Sequence, residues 1–238
     1  MNAYEEKVYQ EAVRWKVSMT KRSSMIQRSS KRIQSKINAK IPGKVHKVVT
    51  EAIRKMMETA LFTSEYIRPI QVDDAWSFRK REEVVEEKFK EYKRTAVLEG
   101  AGTGAGGILL GAADFPLLLS IKMKFLFDIS RIYGFDVTTK EERMYVLHVF
   151  MLAFSSDDKR VEALEKVLHW DESAPEESID WKELQLEYRD TIDFVKMLQL
   201  LPGIGAAVGA FANARLMEQL SETAKNSYRL RLLDDHRS

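Results

Sequence analysis

Apolar residues recur at intervals of three and four along almost the whole chain, and no run alternates apolar and polar positions between turn signals. That pattern predicts an all-α protein. Tyr4, Val8, Ala12, Trp15 and Met19 make one helical stripe, and Ile26, Ile33, Ile37 and Ile41 make a second that stops at Pro42-Gly43. Val45, Val48, Ala52, Met56 and Ala60 form a third. Pro69 and Asp73-Asp74 mark a loop and an N-terminal cap, after which Phe78, Val85, Phe89, Tyr92 and Ala96 follow one face of a long charged helix. Thr139 with Glu142 three residues later is a capping box for a helix carrying Met144, Leu147, Met151 and Phe154. Ser156-Asp157-Asp158 reads as the start of the next helix, with Val161, Leu164 and Leu168 inside. Residues 170–179, with Pro175, read as a loop. A further helix is predicted around Leu184, Tyr188, Phe194, Val195 and Leu198, ending near Pro202-Gly203, and a last one from about Ile204 towards Leu232. No long linker intervenes, so residues 1–238 are predicted to form a single helical domain, with a basic helical region over 1–62.

Two segments break the amphipathic pattern. From Gly100 to Ile121 the chain reads GAGTGAGGILLGAADFPLLLSI, with Asp114 its only charge, and from Met197 to Ala214 it reads MLQLLPGIGAAVGAFANA, with none. Both approach the length of a membrane span. A span is disfavoured, because an ionised residue in mid-span costs about 3 kcal/mol even on insertion scales and Pro116 follows two residues later. The flanking charges, among them Lys122, Lys124 and Arg131, set no clear topology. Gly100, Gly104, Gly107 and Gly111 step by four, three and four, and so share one face of a predicted helix; Gly205, Gly209 and Asn213 repeat the pattern. Glycine costs about 1 kcal/mol relative to alanine at each helical position, and close backbone approach is the usual compensation. The two segments are therefore expected to pack face to face in the core, bringing Asp114 near Asn213 or Arg215 as a buried polar contact.

Charge changes the picture further. The net charge is only +2, yet residues 1–60 hold 14 basic against 5 acidic side chains, and Ala12 to Thr50 hold eleven basic residues and no acid. The isoleucines of the second stripe lie on one side of a helix whose other faces carry Arg28, Lys31, Arg32, Lys36 and Lys40. Such a basic amphipathic helix is suited to an anionic lipid surface or an acidic partner. The opposite pole is residues 171–190, with eight acids against Lys182 and Arg189. Nucleic acid is not expected as a partner, because the basic stretch offers Trp15 alone as a stacking surface.

Candidate chemistry is sparse. The absence of cysteine excludes disulfides, thiolate metal sites and a cysteine nucleophile. His46, His148, His169 and His236 show no metal-binding spacing, so no metal is expected, and His148 reads as a packed core residue. Gly102 to Gly107 match G-x-G-x-x-G, but a charged helical pattern precedes them where a nucleotide site needs a buried strand, so no cofactor is predicted. Ser155-Ser156 beside Asp157-Asp158 fits helix capping better than nucleophile and acid. Asp114 is the one acid in an apolar setting, where desolvation or a cationic neighbour could retune it.

The stretch GAGTGAGGILLGAADFPLLLSIKMKFLFDISRIYGFD (100–136), together with LAFSSDDKRVEALE (152–165), resembles the EcsC protein family. The likeness extends over essentially the whole chain, and the glycine-rich stretch with its Asp-Phe-Pro step is its most specific part. The family takes its name from a bacterial gene lying in an operon with the ATPase and membrane subunits of an ABC transporter. The resemblance thus implies association with a transport or secretion system; together with the basic stretch, the expected function is a non-enzymatic accessory or adaptor, cytoplasmic and peripheral on the inner face of the membrane, with ABC transporter components or anionic lipid as partners. It implies no catalytic residues. The alternative is an amphiphile-binding protein or hydrolase with a pocket beside the glycine seam and Asp114. The first residues, MNAYEEKVYQ, carry two glutamates and lead into no apolar run, so no secretory signal is expected.

Overall fold

A computed structural model of the chain describes residues 1–21, 43–67, 70–103, 107–173 and 206–234; within these, side chains are described except at 43–46, 49, 100–103, 107–114, 173, 206–209 and 212. The described residues form eight helices and no strand. They are α1 (Ala3–Thr20), α2 (Gly43–Phe62), α3 (Phe78–Thr103), α4 (Gly107–Tyr133), α5 (Lys140–Ala153), α6 (Arg160–Leu168), the single turn α7 (Trp170–Ser173) and α8 (Ala206–Leu233). The fold class is all-α, and one hydrophobic cluster joins these helices. The second isoleucine stripe, Arg28, Lys31, Arg32, Lys36 and Lys40, and the helix expected around Leu184 to Leu198 lie outside the described residues.

Helix starts follow local chemistry. Asn2 caps α1 with a full capping box, its side chain accepting from Tyr4 and Glu5 amides while the Glu5 carboxylate accepts from the Asn2 amide at 2.8 Å. At α3 the cap differs from the expected Asp73-Asp74. Asp73 Oδ1 accepts from the Ala75 amide in a preceding turn, and the Ser77 hydroxyl accepts from the Lys80 amide at 3.3 Å. Thr139 caps α5 as its spacing predicts, but Glu142 does not complete a box, because its carboxylate is engaged inside the protein. The Ser156-Asp158 stretch leads into α6. That helix begins at Arg160 after Lys159, which makes no side-chain cap bond, while Ser155 donates to the Leu152 carbonyl and Asp157 pairs with Arg160.

The helix α5 is buried on every side from Glu142 to Ala153, the mark of a central element. Around it, α3 runs antiparallel to both α4 and α8. Along α3 and α8 the pairs Lys93–Glu218, Glu86–Lys225 and Glu82–Arg229 step in opposite chain directions. Across α3 and α4, Tyr92 meets Asp128 at 2.8 Å and Arg81 meets the Ile132 carbonyl at 2.7 Å. Gly134, at φ 102°, turns the chain out of α4 in the left-handed region that glycine adopts without a Cβ penalty.

This arrangement corrects the glycine stripe. Gly100 closes α3 whereas Gly107 and Gly111 open α4, so the stripe is divided between two antiparallel helices and does not run along one helical face. Gly209 lies in the first turns of α8; Gly104 and Gly205 lie outside the described residues. Gly100, Gly107, Gly111 and Gly209 therefore gather at one end of the bundle, where α3 ends and α4 and α8 begin.

Candidate functional site

Three features qualify as sites. The first is a pair of buried ionic nodes at the C-terminal end of α8. Positions two apart on a helix point to opposite sides, and Arg229 and Arg231 use this. The Arg229 guanidinium closes on Glu82 of α3, which also accepts from the Tyr133 hydroxyl of α4, and it reaches Glu11 of α1 at 3.5 Å. Arg231 donates to Glu142 of α5 at 2.7 Å and to Asp171 at 2.6 Å, while Glu142 accepts from Ser130 and Tyr228 at 2.7 Å each. Phe135 and Tyr145 sandwich the Arg231 guanidinium, with ring centroids 4.1 and 4.2 Å from it. The rings of Tyr133 and Tyr228 stack at 5.3 Å and join the two nodes.

Desolvation works against both charged arginines, and the carboxylates outweigh it, so each pKa stands above the ordinary arginine range. Burial, reinforced by Glu82 and Glu142, pushes the phenols of Tyr133 and Tyr228 well above theirs. Every carboxylate in the nodes faces a cation or a hydroxyl donor. The chemistry of this arrangement is clamping, with α1, α3, α4, α5, α7 and α8 fixed to one another by charges whose separation would leave one uncompensated in the core.

The second feature is Lys122. Read from sequence as a flanking charge, it is fully buried on α4. Its ammonium donates to Asn213 Oδ1 of α8 at 3.3 Å and to the Leu118 carbonyl at 3.5 Å, both long contacts. Burial alone pushes its pKa down to about 7. Asn213, at 0% exposure, is thus a buried polar contact between α4 and α8, with Lys122 as its partner. Arg215 is exposed, which corrects its expected burial: two positions beyond Asn213, it points away from the face that meets α4. The Asp114 side chain lies outside the described residues.

The third feature is an apolar end. Leu98 near the end of α3, Leu117 in α4, Phe211 near the start of α8 and Val48 near the start of α2 are all exposed, Leu98 at 62% and Phe211 at 68%. Extending the α3/α8 register from Lys93–Glu218 sets Leu98 opposite Asn213, less than a turn from Phe211. The opposite end holds the C-terminus of α2, where Arg143 donates to the Leu61 and Thr63 carbonyls, and the Gly134 turn. These four side chains therefore share the end that holds Gly100, Gly107, Gly111 and Gly209. Beside it, a groove of about 580 Å³ runs between α2 and α4, lined by Val48, Ala52, Met56 and Pro116 with Lys47 and Lys55 among them.

Sequence periodicity missed both nodes and the buried lysine. A usable signal existed in each case: Lys122 falls in register with Leu118, Phe125 and Ile129 on an apolar stripe, and Tyr228 to Arg231 place two arginines among residues that are otherwise core-forming. His148 is buried against the Trp170 ring at 5.1 Å. Among the described residues no cluster of three or more histidine, aspartate or glutamate side chains could hold a metal ion, and no helix is long and apolar enough to cross a membrane.

Comparison with known proteins gives the lineage. The chain is 49% identical over 226 residues to "Protein EcsC" of Bacillus subtilis (strain 168), covering 95% of each chain. It is 31% identical over 155 residues to "Uncharacterized protein YdbA" of the same strain, covering 63% of this chain and 57% of that one. No solved structure matches. With the model of the EcsC protein family matching residues 6–233, the chain belongs to that family.

Proposed function

We propose that this protein is a non-enzymatic accessory or adaptor that sits peripherally on an anionic membrane surface, next to an ABC transporter or secretion system, with the glycine-rich apolar end of the bundle turned to the lipid. The observation that carries this reading is the gathering of exposed Leu98, Leu117, Phe211 and Val48 at one end. Large exposed apolar side chains that share one end favour a partner that is itself apolar. A membrane suits this cluster because the basic stretch from Ala12 to Thr50 leads directly into α2, whose first turns belong to the same end. Shallow insertion of apolar side chains and attraction of lysine and arginine to anionic headgroups reinforce each other. Peripheral contact, not a span, accords with the limited apolar length of the described helices. The transporter as neighbour rests on the operon that gives the family its name.

Vesicle sedimentation tests the proposal. Wild type should sediment with phosphatidylglycerol vesicles and much less with phosphatidylcholine, and binding should fall as salt shortens the screening length from about 10 Å at 0.1 M to about 3 Å at 1 M. The Leu98→Ser/Leu117→Ser/Phe211→Ser variant and the variant with Arg28, Lys31, Arg32, Lys36 and Lys40 all changed to glutamine should each bind more weakly. Equal binding to neutral and anionic vesicles, or no loss in either variant, contradicts it.

A further inference from the structure

We infer that the groove between α2 and α4 takes one acyl chain of an anionic phospholipid drawn from the membrane, with Lys47 and Lys55 meeting its phosphate. This deepens the membrane reading above and rests on it.

The groove's volume, about 580 Å³, lies inside the range of about 300–1,000 Å³ typical of small-molecule sites. Its α2 wall follows from helical spacing. Val48, Ala52, Met56 and Thr59 recur at four, four and three and so share one face of α2, running roughly 16 Å at 1.5 Å per residue. The α4 wall is Pro116, which has no amide hydrogen to offer, and Ser120. Near Ser120, the Tyr66 phenol lies close to both Ser120 and Thr59, so these hydroxyls gather at the inner end. What is left open is mostly hydrocarbon.

Charge selects the head. Lys47 and Lys55 are both exposed at the groove, and among the described residues no ion pair holds either, although both act electrostatically on the Glu51 carboxylate. Of the two acids at the groove, Glu51 is tied to the Arg54 guanidinium, and Glu65 sits beside Tyr66, at the far end from Val48. The two lysines thus line the groove's rim along α2, on either side of Glu51, and Glu65 lies past its Thr59 end. An anionic head near Lys47 and Lys55 with its chain directed towards Thr59 satisfies both. Position points to the bilayer as the source, because Val48 belongs both to the groove and to the apolar end, and Pro116 is followed by exposed Leu117. A chain leaving the bilayer would enter without crossing water.

The test is photocrosslinking with phosphatidylglycerol bearing a diazirine on one acyl chain, in vesicles, followed by peptide mass spectrometry on the full chain, with sedimentation measured on the same samples. Adducts are expected on residues 48–56 and 116–120. Ala52→Trp, which fills the groove, should abolish them while leaving sedimentation unchanged. Lys47→Gln/Lys55→Gln should lower adduct yield about fivefold per lysine, with little change for the phosphatidylcholine analogue. Sedimentation with adducts confined elsewhere, or adducts that survive Ala52→Trp, overturns the groove and leaves the membrane reading standing. If wild type does not sediment, the membrane reading fails; monomeric diazirine-labelled lysophosphatidylglycerol in solution then decides the groove separately, by labelling or not labelling the same residues.

Discussion

Arg229 and Arg231 stand two positions apart on α8, face opposite sides of the helix, and each closes on a buried glutamate, Glu82 on one side and Glu142 on the other. One helical turn thereby serves as a rivet through the bundle. The stacked rings of Tyr133 and Tyr228 put the two nodes in mechanical contact, so a change in one bears on the packing of the other.

Breaking one side of the rivet should cost more than replacing it whole. Arg231→Met leaves Glu142 buried with only Ser130 and Tyr228 as donors, and about 3–5 kcal/mol of stability should be lost. Adding Glu142→Gln should return part of that loss, because a neutral amide is cheaper to bury than an unpaired carboxylate. Urea unfolding of wild type, both single variants and the double variant measures the coupling. Additive losses would show that the pair does not act as a unit.

Lys122 predicts an alkaline gain in stability. Its pKa is near 7 when folded against about 10.5 when unfolded, so between those values the unfolded chain binds the extra proton and stability rises with pH. At and below pH 7 the buried lysine costs on the order of 5 kcal/mol. Lys122→Met should therefore raise the melting temperature most at pH 6–7, with a gain over wild type that shrinks as pH approaches 10. Thermal melts across that range check it, and a gain independent of pH would contradict it.

The two neighbours on α8 should behave differently. Asn213→Ala removes the side-chain acceptor that Lys122 has among the described residues, and about 1–3 kcal/mol should be lost. Arg215→Ala, on the exposed face, should stay within about 0.5 kcal/mol of wild type. Thermal or urea unfolding of the two variants distinguishes them; equal losses would mean that the two faces of this segment are not distinct.

Local patterns were readable where local chemistry decides them. The stripes of α1 and α3, the Thr139 cap and the last helix follow from spacing alone, whereas on α2 Val48 of the expected stripe is exposed and Ile53, Met57 and Leu61 join Met56 and Ala60 in the core. The partner of Glu142 did not, because a glutamate three residues after a threonine satisfies the capping pattern, and nothing nearby shows that Arg231 takes the carboxylate instead. Lys122 was misplaced for a related reason: it borders an apolar run and looks like a flank, and only the position of α8 reveals that Asn213 sits over it. The glycine steps also suit one helical face; the reversal between α3 and α4 is a tertiary fact that their spacing does not encode. The apolar end is of the same kind, since Leu98, Leu117 and Phe211 come to the same end only once α3, α4 and α8 are set in register.

Orientation on the membrane is the most direct thing to measure. The chain has no cysteine, so Leu98→Cys, Phe211→Cys and Ser64→Cys each carry a single environment-sensitive fluorophore, the last at the opposite end of the bundle after α2. On phosphatidylglycerol vesicles the labels at 98 and 211 should shift to the blue as they leave water, and the label at 64 should not move. A shift at 64 equal to those at 98 and 211, or no shift at any of the three while the protein is vesicle-bound, would mean that the apolar end is not the face that meets the lipid.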